Sequence, residues 1–444
     1  MTRSPAVVAS SGTTLVRRPG RAETRLRREL EDLGQRSASQ LRVLLAVWRH
    51  PAVVLLPLGA IVGVVGGLLR QDGDQVRFRA AGFAMVGPGF FHVFADSWIQ
   101  LGPLYLLALG LVARLAATAH LSLQTVGIAA AALHGLAVVW LSLTASRHAA
   151  LASGTWVRRA QWMVTGTVLA GGILSDALVA DHPEELLLGF VLVLAAVRQD
   201  SGRNVRAAGL LVVAMGIKEW AITCAGLLLN RGSIRRRACA VALLVVGTVA
   251  LIAPFKIWGE VSTFSQTWLI PKGTWFDAVP FLAGRSGWTF RVVQGGAAGL
   301  AGVLIGLRAR TSALVVVMVS ICVRLLLDPL RLTYYWGALV AVVAVWVWTT
   351  ESEPVRRVRG WLTAAMPMLT FCTLVPSGPW WHAETVVAVA LPVFAVLADR
   401  VASRPQQALV TDTEPGTSLP DDKAPGPTDR SVTRPLASSS AVQE

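Results

Sequence analysis

Residues 51–69 read PAVVLLPLGAIVGVVGGLL, a run without a single charged side chain. As a helix rising 1.5 Å per residue it would be about 28 Å long, close to the ~30 Å hydrocarbon core of a bilayer. Runs of this kind recur along nearly all of the 444 residues, of which 54% are hydrophobic and only 15% charged. Mean hydropathy is +0.56. A soluble domain carries about 25% charged residues. The chain therefore reads as all-α, a polytopic transmembrane helical bundle that absorbs most of its length.

The net charge of +15 suggests a nucleic-acid partner at first sight. The basic residues, however, sit in short loops between apolar runs, where the positive-inside rule puts them, so nucleic acid is excluded and membrane lipids are the surroundings. Only Lys218, Lys256, Lys272 and Lys423 are lysines among 41 basic residues. With the Ala, Val and Gly richness, this bias suggests a high-GC bacterial genome and a bacterial plasma membrane. Cys224, Cys239, Cys322 and Cys372 lie far apart within apolar runs and read as small buried hydrophobes, not as a disulfide or metal framework.

Residues 1–50 are polar and Arg-rich and form a cytoplasmic basic segment; the membrane domain covers 51–400; and 401–444, rich in Pro, Ser, Thr and Asp, is a disordered cytoplasmic tail. A cleavable signal would place its apolar stretch within the first ~30 residues, so the run from Pro51 is a signal anchor with its N-terminus inside. Further spans are predicted near 121–143, 162–179, 185–197, 238–255, 292–307, 312–327, 334–348, 361–374 and 386–397, which makes about ten. Alternation then puts every strong arginine cluster on one side (Arg147 with Arg158 and Arg159; Arg198 with Arg203 and Arg206; Arg235 to Arg237; Arg308 with Arg310; Arg356, Arg357 and Arg359) and both termini in the cytoplasm. This requires 101–117 to be a surface helix in the first outer loop. It also requires 207–229, which lies between two basic clusters, to be a re-entrant hairpin. Its break is expected at Ile217-Lys218-Glu219-Trp220, with the tip facing a cavity, since irregular backbone at membrane depth must be buried in protein or line one. The stretches 70–100, 180–184, 256–291 and 328–332 and the turn 376–384 read as irregular outer segments.

Four groups of outer-side residues are candidates for chemistry. Asp96, in Phe94-Ala95-Asp96-Ser97-Trp98, is an acid among aromatics where a loop meets the membrane; partial burial raises a carboxylate toward the range of a general base, though a loop aspartate binding backbone amides looks the same. Asp176 and Asp181-His182-Pro183-Glu184-Glu185 combine four carboxylates with an imidazole; they suit an acceptor, shared protons or a divalent cation with oxygen ligands, or simply an acidic helix start. Arg324 and Asp328 are spaced i, i+4, about 6 Å apart along one helix face, and are followed by Pro329, Arg331, Tyr334 and Tyr335. An arginine within a span costs about 2.5–3.5 kcal/mol and needs a partner or a cavity. The tyrosines serve equally as interfacial anchors or as a platform for a sugar ring. Finally, 256–291 holds Trp258, Trp268, Trp275 and Trp288 with Lys256, Lys272 and Arg285, a mixture suited to sugars and phosphates but also ordinary at a membrane interface.

Taken in order, these stretches resemble the C-type polytopic membrane glycosyltransferases, closest to the bacterial polyprenyl-phosphate-mannose-dependent α-mannosyltransferases. Asp96 through Pro103 is similar to that family's first-loop acidic motif with its Gln-x-Gly-Pro-Leu segment. His182-Pro183-Glu184-Glu185-Leu186 resembles its His-x-Asp-Asp-x-Leu motif. Gly209 to Trp220 resembles its re-entrant hairpin, and Arg324 to Tyr335 its Arg-x-x-Leu-Asp-Pro…Tyr-Tyr segment. Two departures stand out: the paired acids are glutamates, and Glu219 replaces the proline after the hairpin lysine. The resemblance implies an inverting transfer of a sugar, mannose by likeness, from a polyprenyl-phosphate donor to an envelope glycolipid or glycan acceptor at the extracytoplasmic face. In that scheme Asp96 is the base, and His182, Glu184, Glu185, Lys218, Arg324, Asp328, Arg331, Tyr334 and Tyr335 bind substrate. No organic cofactor is implied, and a divalent cation is compatible with the acids. A transporter or lipid flippase, or a noncatalytic membrane partner of an envelope complex, is the competing expectation; no inverted repeat marks the former.

Overall fold

Pro51 has no N–H to donate and so suits the first position of a helix. It separates α1 (Ala38–Arg49) from α2 (Pro51–Leu69) in the computed structural model, in which residues 38–69, 73–282, 284–308, 311–371 and 378–402 are described. The expected N-terminal segment as far as residue 37, the tail from 403, Cys372 and Arg310 lie outside the described residues.

Glycines spaced by four on α2 decide its first neighbour, α5 (Leu123–Ser153). A Cβ on Gly63 would fall on the Ala131 carbonyl, one on Gly67 would stand 3.0 Å from the Ile128 Cα, and one on Gly135 would fall on the Gly59 carbonyl. Close backbone approach through such small-residue stripes is how helices pack without a hydrophobic drive between them. As α2 ascends, its contacts on α5 descend from Val139 to Ile128, so the two helices are antiparallel. The connection between them therefore starts and ends at the same end of the bundle. It holds α3 (Asp74–Met85) and α4 (Pro103–Thr118), which pack on each other through Gly82 and Gly110. Residues 70–100, expected to be irregular, thus hold a regular helix at 74–85. Phe78, Ala81 and Met85, at i, i+3 and i+7, are the buried stripe of α3.

The chain continues through α6 (Val157–Ala170) and α7 (Ile173–Val179), bent by 45° about Gly171-Gly172. Gly172 takes φ +73, which L side chains rarely adopt. The centre of the bundle is α8 (Glu184–Asp200) against α13 (Gly337–Thr349), both buried nearly all round. A Cβ on Gly189 would stand 2.7 Å from the Ala338 carbonyl and from the Ala341 Cβ, so glycine sets their approach. Around them lie α10 (Ile234–Trp258), α11 (Trp288–Gly306), α12 (Ala313–Leu326), α14 (Glu353–Phe371) and α15 (Gly378–Ala402). Within the loop after α10, Trp268–Leu269 and Arg285–Ser286 form a two-stranded antiparallel ribbon. Cys224 and Cys322 are fully buried as expected, whereas Cys239 is exposed, because α10 buries only Ala240, Leu244 and Phe255.

The hairpin is explicit. Its outgoing arm, α9 (Asn204–Ile217), ends where Lys218 is extended (φ −155, ψ 132), and a 3₁₀ helix, Glu219–Leu229, returns. Fourteen α-helical residues and eleven 3₁₀ residues advance about 21 and 22 Å, so the arms match. The ends meet: Asn204 Nδ2 donates to the Arg231 carbonyl (2.7 Å), and Gln199 donates to Leu228 and Arg231. The tip reaches Glu184 and Glu185, at the opposite end of α8. The hairpin therefore runs the whole length of α8, deeper than the term re-entrant suggests.

Among the described residues, five helices are long and apolar enough to cross a membrane, six if α6 and α7 form one bent span. The chain is an all-α membrane protein.

Candidate functional site

The loop between α7 and α8 turns at Asp181, whose φ of +67 lies in the left-handed region that aspartate tolerates better than most residues. That turn carries His182 inward. Its Nδ1 meets Glu184 Oε1 at 2.6 Å, and its Nε2 meets Asp74 Oδ2 at 3.3 Å. Its ring stacks on Tyr334 at 3.7 Å between centroids, and Phe78 meets it edge-on. A neutral imidazole donates from one nitrogen only; donating to two carboxylates requires the imidazolium.

Burial alone would lower the His182 pKa. The Glu184 carboxylate and the hydrogen bonds to Asp74 and Glu184 outweigh it, so the value is raised above 6.5. The hydrogen bond from His182 is the largest cause holding the Asp74 carboxyl below its usual range, against partial burial. A raised histidine contributes stability that is complete below about pH 6.5 and lost as pH rises through the folded value. The lowered Asp74 carboxyl contributes in the opposite sense: its share is present above its ordinary value and lost on acidification. The thermal midpoint in detergent is therefore expected to fall as pH rises beyond 6.5, and the fall is expected to flatten in His182→Gln. Superimposable pH profiles for the two proteins would contradict this assignment.

Lys218, held at the hairpin break, reaches Glu184 Oε1 at 3.0 Å and Glu185 Oε1 at 2.8 Å. Both carboxylates are wholly inaccessible, and Trp220 Nε1 adds a 3.4 Å bond to Glu185. The paired acids thus hold the lysine and, through it, the hairpin tip. Among the described residues no three or more His, Cys, Asp or Glu side chains are arranged to share a metal ion.

A second charged group lies on α11 and α12. Asp328 is fully buried and takes its closest bond from Arg291 Nη1, at 2.6 Å. The expected i, i+4 partner Arg324 stands 4.0 Å away. Arg324 is instead sandwiched by rings, 4.4 Å from the Trp220 centroid and 5.2 Å from that of Tyr335, and its buried Nη1 has no hydrogen-bond partner. Arg291 lies over Trp268 at 4.6 Å.

These groups share one cavity of about 600 Å³, within the range of ligand pockets. Of the expected residues, His182, Lys218, Arg324, Tyr334 and Tyr335 line it, while Glu184, Glu185 and Asp328 stand behind and hold its cations. Trp268 and Trp288 line it; Trp258, Trp275, Lys256, Lys272 and Arg285 do not.

Two expectations change. Asp96 is exposed and off the cavity wall, its Oδ1 accepting the Trp98 backbone N–H at 2.9 Å in a local turn. The first-loop carboxylate in the cavity is Asp74, whose Oδ1 accepts from Trp98 Nε1 at 2.8 Å. Arg331 is also off the wall. It donates to the Leu325, Leu326 and Trp381 carbonyls and to Thr385, which ties the end of α12 to α15. Neither Asp176 nor Asp181 lines the cavity. Asp74 and Arg291 were missed. Asp74, at the start of the α3 stripe and one of two acids (with Asp72) that directly follow the first span, carries a signal in the sequence; Arg291 carries none, since its partner lies 37 residues on.

No protein-family model matches the chain, and neither a curated protein nor a solved structure does.

Proposed function

We propose that the chain is a glycosyltransferase. It moves a sugar, with mannose as the leading candidate, from a polyprenyl-phosphate donor to an envelope glycolipid or glycan at the extracytoplasmic face of a bacterial plasma membrane. In this reading it crosses the bilayer about ten times, counting α8, α12, α13 and α14 with the longer helices, and both termini are cytoplasmic. The carrying observation is convergence. Asp74, His182, Lys218 and the Arg324–Tyr335 segment, scattered over more than 250 residues, meet in one cavity at one end of α8. The opposite end of α8 is tied by the Gln199 and Asn204 bonds, and Asn230 donates to the Thr311 carbonyl there, an arrangement that favours a pocket over a through-going path.

In the proposed reaction Asp74, ionised and held by His182 and Trp98, accepts the proton of the acceptor hydroxyl as that oxygen attacks the anomeric carbon. The carbon–phosphate oxygen bond breaks on the opposite face, and the lipid phosphate leaves against Arg324, with Arg291 and Lys218 adding positive potential. Fixed cations aimed at developing charge stabilise the transition state without reorganisation. The test is purified protein in proteoliposomes with radiolabelled polyprenyl-phosphate mannose and a panel of envelope acceptors. Label appearing in an acceptor supports the reading; label crossing the bilayer still attached to its lipid would support a flippase instead.

A further inference from the structure

We propose that Glu219 is the residue that reads the transferred sugar, an inference that rests on the glycosyl-transfer reading. Glu219 opens the 3₁₀ arm directly after the Lys218 break, and it lines the cavity half-buried. Lys218, Arg324 and Arg291 are all close enough to act on it electrostatically. Yet among the described residues none comes within ion-pair distance of it, because Lys218 is held by Glu184 and Glu185, and Arg291 by Asp328. Glu219 accepts no side-chain hydrogen bond from another described residue. Its carboxylate takes a hydrogen bond from its own backbone, and its remaining accepting capacity lies in the cavity, open to the hydroxyls of a ligand.

The surroundings indicate which ligand. The Arg324 guanidinium lines the same cavity as Glu219 and gives an anion a cationic wall there. A hexose joined to a phosphate there comes within reach of the Glu219 carboxylate, whose two oxygens suit two adjacent hydroxyls. Trp268 and Trp288 supply flat apolar faces in the same cavity. The α11 wall is bare: a Cβ on Gly296 would meet nothing within 4 Å, and one on Gly295 only Thr223 at 3.8 Å. Farther along the same helix, glycines serve packing, since a Cβ on Gly302 would fall on Ser320 and one on Gly306 on the Gly226 carbonyl. The vacant glycines therefore leave room for a ligand, not for a neighbouring helix.

The experiment is equilibrium binding of three radiolabelled lipids to the purified full-length protein in detergent: polyprenyl-phosphate mannose, polyprenyl-phosphate glucose and bare polyprenyl phosphate. The wild type is expected to prefer one sugar-bearing lipid over the bare phosphate. Glu219→Ala is expected to lose about tenfold of that preference, the scale of hydrogen bonds to a charged group, with affinity for bare polyprenyl phosphate retained or raised, since a negative charge beside the cations is removed. Glu219→Gln, which keeps the shape and loses the charge, is expected to lose part of it. No preference in the wild type, a preference that survives both substitutions, or a parallel loss of bare-phosphate binding would each overturn the role of Glu219. Wild-type protein that binds none of the three lipids would overturn the glycosyl-transfer reading itself.

Discussion

Asp74→Asn is expected to lower sugar transfer by about 10²–10⁴-fold, the usual consequence of losing a general base, while Asp96→Asn stays near wild type. Asparagine keeps the volume of Asp74 and still accepts from Trp98 Nε1, but it cannot take up the acceptor proton. At Asp96 the carboxylate oxygen that matters accepts a backbone N–H, and an amide oxygen does the same. The two variants remove the same charge from the same connection between α2 and α5 and differ in whether the group faces the cavity. Turnover is measured on correctly inserted protein, with binding of bare polyprenyl phosphate as a check that the cavity is intact. A large loss at Asp96 with Asp74→Asn unaffected would return the role to the residue first expected from sequence.

Lys218→Met is expected to destabilise the protein by about 3–5 kcal/mol, the range for removing one partner of a buried ion pair. Glu184 and Glu185 are inaccessible to solvent, and one oxygen of each has no hydrogen-bond partner even with the lysine present. Without Lys218, Glu184 keeps only His182 and Glu185 only the long Trp220 contact. The combined Glu184→Gln, Glu185→Gln, Lys218→Met protein is expected to recover much of the loss, because an apolar or neutral replacement of a whole buried network is often tolerated where a half-network is not. Reversible unfolding in mixed detergent micelles measures both. A loss below about 1 kcal/mol for Lys218→Met would mean that the tip of the hairpin is held by its packing alone.

Helices were legible wherever lipid or a fully apolar core faces all of a segment, because composition alone then marks them; α2, α8, α10 and α13 are of this kind. The hairpin was legible for a different reason. An apolar run between two basic clusters, interrupted by Lys218-Glu219, reads as one that returns to the side it left, and the bonds from Asn204 and Gln199 to the Arg231 carbonyl join the two ends in that way. What escaped was whatever depends on pairing across the sequence. The helix α3 carries Asp74, Arg77 and Arg79 among its apolar residues and shows only a three-residue stripe, so its sequence reads as loop. Asp328 was assigned to Arg324 by helical spacing, but Arg291 from the preceding helix comes closer. Arg331 shows the limit most clearly: a basic residue beside a loop reads the same whether its donors face a ligand or, as here, bind backbone carbonyls. Asp96 and Asp74 differ likewise only in the direction their helices and turns give them.

The most direct test of the central claim is the anomeric configuration of the product formed from a β-linked polyprenyl-phosphate mannose, read by NMR or by linkage-specific mannosidases. A single displacement, with Asp74 taking the acceptor proton on one face of the ring and the phosphate leaving toward Arg324 on the other, predicts an α-mannosidic bond. A β-linked product, or a mannosylated protein intermediate, would contradict it.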